Sequence, residues 1–473
     1  MNDKPLSAQK GDDAGVTRRD FLSMAGAAGA VAAFPTILTK RLPGAAQIAS
    51  GEAKVKPGTL SVFIGKDTSY PQQQAQGMAA LQQLFQQKFP GSSFTWDTYA
   101  TSGEELTKLE TSAAAHQGPD IFEFGSTLIP TGYASNSFEV ITDSMWKELG
   151  GKSAFIEAQL TMSGPKPNKL IAVPKTANPY AMVYNKKLFQ QAGISKPPTT
   201  WTQFVDAAKE MTGGGNYGTA ADYQDGFDPW HYTWLFSTDL GGALISKDGK
   251  TATLTSSKVV EAVSFWLDWA AKYKIVSKQD ATFKGADMTK AFAAGTIGMI
   301  PMAGPGGIKA YSQSAVADSY AYGPNPTIPY GMKSMPKGGK AAQGFVSGQY
   351  WSVFKYSQNK QLAFELIKLM TSPEIQYQFF TQDAQVPVTW ATFTKYPDTK
   401  KSPWDVFVPA EEKSYPTAFN GGWGQLEVVI GDAVNKMATN IATTGSYNHS
   451  DLVAALQQAN QQLQANLAQQ PAG

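Results

Sequence analysis

The densest group of acidic and aromatic side chains in the sequence lies between residues 225 and 234, Asp-Gly-Phe-Asp-Pro-Trp-His-Tyr-Thr-Trp. Carboxylate oxygens accept hydrogen bonds from hydroxyl groups, and indole rings offer flat apolar faces. A solute with many hydroxyls and apolar C–H faces needs both, so the segment is a candidate for ligand binding. We expect contacts from Asp228, Trp230 and His231, whereas Trp234 is expected to pack in the helix that follows. A single histidine is more often structural than a ligand, so His231 alone carries little weight.

Trp423 is a second aromatic candidate. It lies in the sequence Asn-Gly-Gly-Trp-Gly. The neighbouring glycines favour a loop over a helix or strand interior. We therefore expect Trp423 on an exposed loop, where its ring can stack on a ligand.

Three further candidates lie at the ends of predicted strands. β-branched and aromatic residues indicate three short strands, separated by helical patterns: Thr59–Ile64, Ser93–Thr98 and Asp120–Gly125. This βαβαβ order predicts a mostly parallel sheet with helices on both faces, whose ligands bind beyond the carboxyl ends of the strands. Asp67, Glu123 and Phe124 lie at such ends. Because side chains alternate along a strand, only one of Glu123 and Phe124 is expected to face a ligand.

The rest of the chain continues this α/β pattern. Strands are expected at Leu170–Pro174 and Ala181–Tyr184, and Thr200-Trp-Thr-Gln203 has the capping-box pattern of a helix start. Helices are also expected at about 258–273, with a Trp266 and Trp269 stripe facing the core, and at 361–370, 373–380, 425–440 and 451–468.

Composition excludes several classes of protein. The 473 residues include 40 Lys and Arg against 38 Asp and Glu, 3 His and no Cys. The absence of cysteine excludes disulfides, thiolate nucleophiles and zinc fingers, and three histidines leave little for a metal site. A net charge of +2 without a dense basic run argues against nucleic-acid binding. The length suggests two or three domains.

The N-terminal segment resembles an export signal. Thr-Arg-Arg-Asp-Phe-Leu at 17–22 precedes a stretch of small and mildly apolar residues at 23–34 that is too short to span a bilayer comfortably. An arginine pair in this setting resembles a twin-arginine signal. Residues 1–50 are thus interpreted as signal and linker. No cysteine is present for a lipid anchor, which predicts a periplasmic or extracellular protein that is not a lipoprotein.

Several blocks in fixed order resemble the extracellular solute-binding proteins of ABC importers, the family that includes maltose-binding protein. The blocks are Gly-Pro-Asp-Ile at 118–121, Ala-Val-Pro at 172–174, Val-Tyr-Asn-Lys-Lys-Leu-Phe-Gln-Gln-Ala-Gly at 183–193, Pro-Pro-Thr-Thr-Trp at 197–201, Phe-Ala-Ala-Gly-Thr-Ile-Gly-Met at 292–299, and the stretch 359–374. Each block alone is weak, but their order and spacing over residues 59–468 are specific.

The resemblance implies two α/β lobes joined by chain crossings, with the solute bound in the cleft between them. The crossings are placed near 178–182, near 344–351 and near 396–401. Lobe I then comprises residues 57–178 plus about 350–396. Lobe II comprises 182–345 plus about 400–468. Ligand contacts with both lobes would stabilise a closed form by hinge motion.

The resemblance also assigns site residues. Asp67 matches a position that bonds sugar hydroxyls, although a turn-forming aspartate explains it equally well. Phe124 stands near an aromatic platform of the family, and Asn178 replaces a frequent carboxylate. Trp423 matches a position that stacks on a sugar, and residues 225–234 match the sugar-contact segment of the second lobe. At the second crossing, three further residues are candidates: Gln349, Tyr350 and Trp351.

These observations predict a monomeric carbohydrate-binding receptor that delivers a di- or oligosaccharide to the transmembrane subunits of an ABC permease, without cofactor, metal or catalysis. A receptor for another small solute, such as a polyamine, another polyol or a metal, stays open as an alternative. An exported glycoside hydrolase, which needs two carboxylates roughly 5 to 10 Å apart, is a weaker alternative.

Overall fold

A computed structural model describes residues 55–67, 70–284 and 286–469. These residues belong to one compact unit that begins at Val55. The twin-arginine segment and the linker lie outside the described residues. In the part of the chain that is described, no helix combines the length and the apolar character needed to cross a membrane.

The described residues form eight strands and seventeen α-helices, with short 3-10 turns between them. The strands are β1 Thr59–Gly65, β2 Ser93–Tyr99, β3 Ile121–Gly125, β4 Val173–Ala177, β5 Ala181–Asn185, β6 Met299–Ala303, β7 Tyr320–Gly323 and β8 Gly348–Val353. The first nine helices are α1 Pro71–Lys88, α2 Ser102–Ala115, α3 Ile129–Ala134, α4 Asp143–Glu148, α5 Glu157–Leu160, α6 Lys186–Gln191, α7 Trp201–Met211, α8 Asp228–Asp239 and α9 Ser257–Ala271. The others are α10 Asp287–Ala293, α11 Ile308–Ser312, α12 Lys360–Met370, α13 Pro373–Asp383, α14 Trp390–Lys395, α15 Phe407–Glu412, α16 Trp423–Thr444 and α17 His449–Leu467.

Helix starts follow the local sequence closely. The Thr200 hydroxyl accepts a hydrogen bond from the Gln203 backbone N–H at 3.1 Å, as the capping box predicts. The reciprocal bond differs, because the Gln203 amide oxygen accepts from the N–H of Thr199, at 3.0 Å. Trp266 and Trp269 are fully buried. The predicted core stripe of α9 is therefore confirmed.

Two sheets divide the described residues into lobes. The first lobe is built on a five-stranded sheet in the order β2-β1-β3-β8-β4, and the second on a three-stranded sheet in the order β6-β5-β7. This two-lobed α/β architecture confirms the predicted fold class. The expectation of a mostly parallel sheet is wrong: β1 is parallel to β2 and β3, but β8 is antiparallel to β3 and β4, and the second sheet is antiparallel throughout. Strand β8 lies more than 220 residues after β3 in the chain. The βαβαβ pattern of residues 59–125 therefore does not predict that β8 runs antiparallel to β3.

Chain crossings between the two sheets lie side by side in the described structure. Residues 178–180 join β4 to β5, and the backbone N–H of Asn178 donates to the carbonyl of Ser347, just before β8, at 2.8 Å. The N–H of Val346 donates in turn to the carbonyl of Tyr415 at 3.0 Å. Hydrogen bonds thus hold the crossings together as one strip between the lobes.

The third crossing lies later in the sequence than residues 396–401. Phe393 and Phe407 both pack in the core of the first lobe. Trp423 and the rest of α16 pack in the core of the second lobe. The chain therefore leaves the first lobe after α15, and the expected position near 396–401 is corrected to the segment 413–422. Apolar burial of Phe407, which local sequence does not reveal, decides this.

A buried polar network lies against this strip of crossings. The Gln159 amide nitrogen donates to the Glu411 carboxyl at 2.6 Å and to the Ser347 carbonyl at 2.9 Å. The Tyr350 hydroxyl donates to the Gln159 carbonyl at 2.9 Å. Glu411 is fully buried. Burial raises the pKa of Glu411 to about 8, although the hydrogen bond from Gln159 opposes the rise.

Glu411→Gln is expected to flatten the pH dependence of stability. Between about pH 5 and 8 the folded chain holds a proton on Glu411 that an unfolded chain, with the usual pKa of 4.5, has released. The free energy of unfolding of the native chain therefore falls as pH rises across this range, by up to about 1.4 kcal/mol per pH unit from this group. Glutamine keeps the bond to Gln159 but does not ionise.

Urea unfolding at pH 5, 6, 7 and 8 measures this slope. The matched control is Glu412→Gln at the exposed neighbouring position, which is expected to keep the native slope. Equal slopes for the native chain and Glu411→Gln would show that Glu411 does not hold the extra proton.

Candidate functional site

A cleft of about 430 Å³ opens where the two lobes and the chain crossings meet. Its volume lies within the range of small-molecule sites. The first lobe contributes Lys66 and residues 125–127 to the lining, and the crossings contribute Asn178, Tyr180 and Phe345. The second lobe contributes the segment that leads into α8 and the glycine-rich turn that follows β6.

Three aspartates form the acidic wall of the cleft on the second lobe: Asp222, Asp225 and Asp228. The Asp225 carboxylate accepts hydrogen bonds from the backbone N–H groups of Phe227 and Asp228, at 2.7 and 3.1 Å. These bonds fix the start of α8, where Pro229 follows as a favourable first-turn residue. Local sequence therefore positions Asp228 as the first residue of α8.

Asp228 and His231 form a pair one turn apart on α8. The Asp228 carboxylate and the His231 Nδ1 atom are 2.9 Å apart. Burial alone would raise the pKa of Asp228, but the hydrogen bond from His231 and its positive charge lower the pKa overall. Asp228 is therefore a carboxylate at neutral pH, able to accept hydrogen bonds from a ligand.

Aromatic rings stand beside the acidic wall. Trp230 is buried, and its ring centroid lies 4.7 Å from that of Phe345 on the crossing strip. The His231 ring lies 4.8 Å from Phe345 and 5.7 Å from Tyr180. The cleft thus combines carboxylates with aromatic surfaces supplied by both α8 and the crossings.

The structure brings five of the residues predicted from sequence to the cleft: Asn178, Asp228, Trp230, His231 and Gln349. Asn178 lies on the first crossing close to the turn after β6, where a Cβ atom at Gly304 would lie 3.1 Å from the Asn178 amide oxygen. The absence of a side chain at Gly304 leaves room for this approach. Gln349 lies at the start of β8, near the Tyr99 hydroxyl at 3.4 Å.

Glu123 and Phe124 lie behind the cleft. The Glu123 carboxylate is 2.7 Å from the Lys175 ammonium, and both side chains are almost fully buried. Phe124 is fully buried and stacks on Phe122 at 5.5 Å. The expectation that one of the two faces a ligand is corrected. Strand β3 is covered on both faces, so both side chains are buried.

Tyr350 and Trp351 also lie outside the cleft. Tyr350 is fully buried in the network with Gln159, and Trp351 is 1% exposed with the Lys175 ammonium 4.9 Å from its ring. Both follow Gln349 into the interior of the sheet. Only the first residue of the predicted trio reaches the cleft.

Asp67 lies at the end of β1, and its carboxylate accepts a hydrogen bond from the Tyr70 N–H at 2.6 Å. This geometry fits the turn-forming interpretation. Tyr70 in turn donates from its hydroxyl to the carbonyl of Gly306 on the second lobe, at 2.5 Å. Asp67 therefore supports a contact between the lobes beside the cleft.

Trp423 is buried and not on an exposed loop. It is the first residue of α16, is 1% exposed, and its ring centroid lies 5.9 Å from that of Trp230. The glycines around it allow close packing: a Cβ atom at Gly424 would lie 2.7 Å from Leu128. The expectation of an exposed platform is corrected, and Trp423 supports Trp230 from behind.

Sequence reasoning missed Asp222, Tyr180 and Phe345, which all line the cleft. Asp222 directly follows the short run Thr-Ala-Ala of small residues. A carboxylate after such a run was the one local feature that could have indicated a cleft residue. Tyr180 and Phe345 carry no local signal, because the crossing strip alone brings them together. Among the described residues, no group of three or more His, Asp or Glu side chains is arranged to hold a metal ion.

Comparisons with known proteins identify the family. Residues 71–377 match the family described as bacterial extracellular solute-binding protein. A binding protein of Brucella abortus is 28% identical over 294 residues, covering 60% of this chain and 66% of that protein. The diacetylchitobiose binding protein DasA of Streptomyces coelicolor is 27% identical over 279 residues, covering 57% and 60%. The chain thus spans just under two thirds of the length of the curated relatives it matches.

The fold also matches a solved structure. The maltose-bound MalE3 of T. maritima superposes with a TM-score of 0.69 at 19% identity, covering 85% of this chain and 99% of that one. This likeness shows the two-lobed architecture.

Proposed function

Because the chain belongs to the bacterial extracellular solute-binding protein family, we propose that it binds a carbohydrate in the cleft between its lobes and delivers it to an ABC permease. The observation that carries this proposal is the position of Asp228 and Trp230 on one turn of α8, where both line the cleft. A carboxylate accepts hydrogen bonds from ring hydroxyls, and an indole face covers apolar C–H groups. The description of DasA as a diacetylchitobiose binding protein supports the same ligand class.

The chain crossings that join the lobes would allow them to close on a ligand by hinge motion. A ligand that touches the crossings and both lobes stabilises the closed form by its differential contacts. The bond from Tyr70 to Gly306 and the position of the Lys309 ammonium, 5.1 Å from the Tyr70 ring, join the lobes beside the cleft. The closed form would present a distinct surface to the permease.

We further propose that the chain is a binding protein and not an enzyme, and that it acts as a monomer without a cofactor. The twin-arginine pathway would export it to the periplasm or the exterior. The description of the matched family as extracellular solute-binding proteins supports binding and export. The Arg18-Arg19 pair supports the export route.

A receptor for a polyamine or another polyol is the second candidate. The specific observation in its favour is the acidic wall of Asp222, Asp225 and Asp228, which suits a solute rich in donors.

A thermal-shift screen of the purified chain tests the proposal. Neutral mono- and oligosaccharides, polyols, spermidine and Fe(III) are compared at equal concentrations. A carbohydrate bound only by the native state raises the melting temperature, and at 100 times its Kd it adds about 2.7 kcal/mol of stability. Chromatography of the sugar after incubation checks that it is not consumed. A shift with Fe(III) alone, or cleavage of the sugar, would contradict the proposal.

A further inference from the structure

Asp222 is a buried carboxyl group that the folded chain leaves incompletely bonded. It is 3% exposed and lines the cleft. Its Oδ1 atom is buried and has no hydrogen-bond partner within the described residues. Buried acceptors in native proteins rarely lack a hydrogen-bond partner, because the desolvation penalty is large. A donor supplied by a ligand would remove that penalty.

The neighbours of Asp222 decide which kind of donor fits. Burial, and then the negative charges of Asp228 and Asp225, raise the pKa of Asp222 well above its usual range. A hydroxyl donor would satisfy Oδ1 but would bring no positive charge to the acidic wall. A protonated amine satisfies Oδ1 and also neutralises the acidic wall, since charge-assisted hydrogen bonds are about twice as strong as neutral ones.

The other charged groups around the cleft do not balance the negative charge of the acidic wall. On the second lobe, His231 is engaged by Asp228. The first lobe contributes Lys66 to the lining. Behind the lining, Glu427 on α16 accepts a hydrogen bond from the Thr127 hydroxyl, and Glu105 on α2 accepts one from the Gly125 N–H at 2.9 Å.

Aromatic rings complete a surface that suits a cation. Trp230, Phe227, Tyr180 and Phe345 line the same cleft as Asp222. The faces of such rings attract ammonium groups, and the attraction grows when water is excluded. Carboxylates and aromatic faces together form a site for a solute that is both cationic and rich in ring C–H groups.

We propose that the cleft selects a carbohydrate that carries a protonated amino group, with the amine held between Asp222 and Asp228. This inference rests on the proposed carbohydrate-binding function and specifies its substrate class. Asp222 acts as a specificity-determining residue. Asp225 is occupied with the backbone at the start of α8.

Saccharides of the same length, with and without free amino groups, test the inference on the purified full chain. The probes are glucosamine against glucose, and the glucosamine disaccharide against cellobiose and N,N′-diacetylchitobiose. Affinities come from isothermal titration calorimetry at pH 6, where primary amines are protonated. The amine member of at least one set is expected to bind tenfold or more tightly than its neutral partners.

Asp222→Asn should reduce that preference at least tenfold and leave the affinity for neutral partners within about threefold. The matched control is Asp432→Asn at an exposed position of α16 outside the cleft, which should keep the preference. Titration in two buffers of different ionisation enthalpy provides a second readout. Amine binding should release protons from the native chain and fewer from Asp222→Asn.

The outcomes separate this inference from the function beneath it. Neutral saccharides that bind as tightly as their amine partners would overturn the inference and leave the carbohydrate function standing. An amine preference unchanged in Asp222→Asn would overturn the role of Asp222. Binding of spermidine with no saccharide bound would overturn both the carbohydrate function and the inference.

Discussion

Trp230→Ala is expected to weaken carbohydrate binding by about 2 to 4 kcal/mol, roughly a 30- to 1,000-fold rise in Kd. Trp230 lines the cleft next to Asp228 and is almost completely buried. Its removal deletes a large aromatic side chain from the lining and loosens the contact with Phe345. Isothermal titration with whichever saccharide gives a thermal shift measures the change.

Trp423→Ala is the matched control for this substitution. Trp423 has the same side chain, the same core and nearly the same burial, but it does not line the cleft. Both variants are expected to lose about 3 to 5 kcal/mol of stability through the cavity that they leave. Only Trp230→Ala should lose affinity on the larger scale, whereas Trp423→Ala should change Kd by less than about tenfold through the displaced Trp230 ring. Equal losses of affinity would mean that Trp423 itself contacts the ligand.

Lys175→Met is expected to reduce the free energy of unfolding by about 3 to 5 kcal/mol. The Lys175 ammonium lies 2.7 Å from the Glu123 carboxylate, with 6% and 2% of the two side chains exposed. Methionine fills a similar volume beside Trp351 and Phe379, so the apolar contacts are largely kept. What is lost is the positive charge, which leaves a buried carboxylate without its partner. Urea unfolding at pH 7 measures the change.

A second substitution isolates the charge. Lys175→Met combined with Glu123→Gln removes both charges and should recover at least half of the lost stability, because glutamine still accepts the hydrogen bond from the Gly65 N–H. The surface control is Lys290→Met, whose ammonium is 3.0 Å from Asp287 but whose side chain is 73% exposed. Such a pair is worth about 0 to 1 kcal/mol. If the double variant is no more stable than Lys175→Met, packing and not charge explains the loss.

These expectations give Glu123 and Trp230 different roles, although sequence reasoning placed both at the ligand. Glu123 follows a strand, and residues at strand ends often reach a ligand. In the folded chain, however, Lys175 comes to within hydrogen-bond distance from 52 positions away. The pair lies behind the cleft in the first lobe, and Trp230 lines the cleft.

Local sequence was enough to predict several of the helices and strands, the family resemblance and the segment that carries Asp228 and Trp230. These depend on neighbours a few residues apart. Apolar periodicity sets which face of α9 is buried, the Thr200 hydroxyl caps α7, and Asp225 fixes the start of α8 through hydrogen bonds to the next few residues. Such patterns are legible because the interacting groups are adjacent in the chain.

Which candidate side chains line the cleft depends on contacts between segments far apart in the chain. Strand β8 pairs with β3 from more than 220 positions away and runs antiparallel to it, so Gln349 reaches the cleft while Tyr350 and Trp351 enter the core. Trp423 is buried because α16 packs across the second lobe, and Asp222 becomes a lining residue only where the crossings bring the lobes together. The physical reason is that burial and charge pairing depend on contacts between distant segments, which local periodicity does not encode.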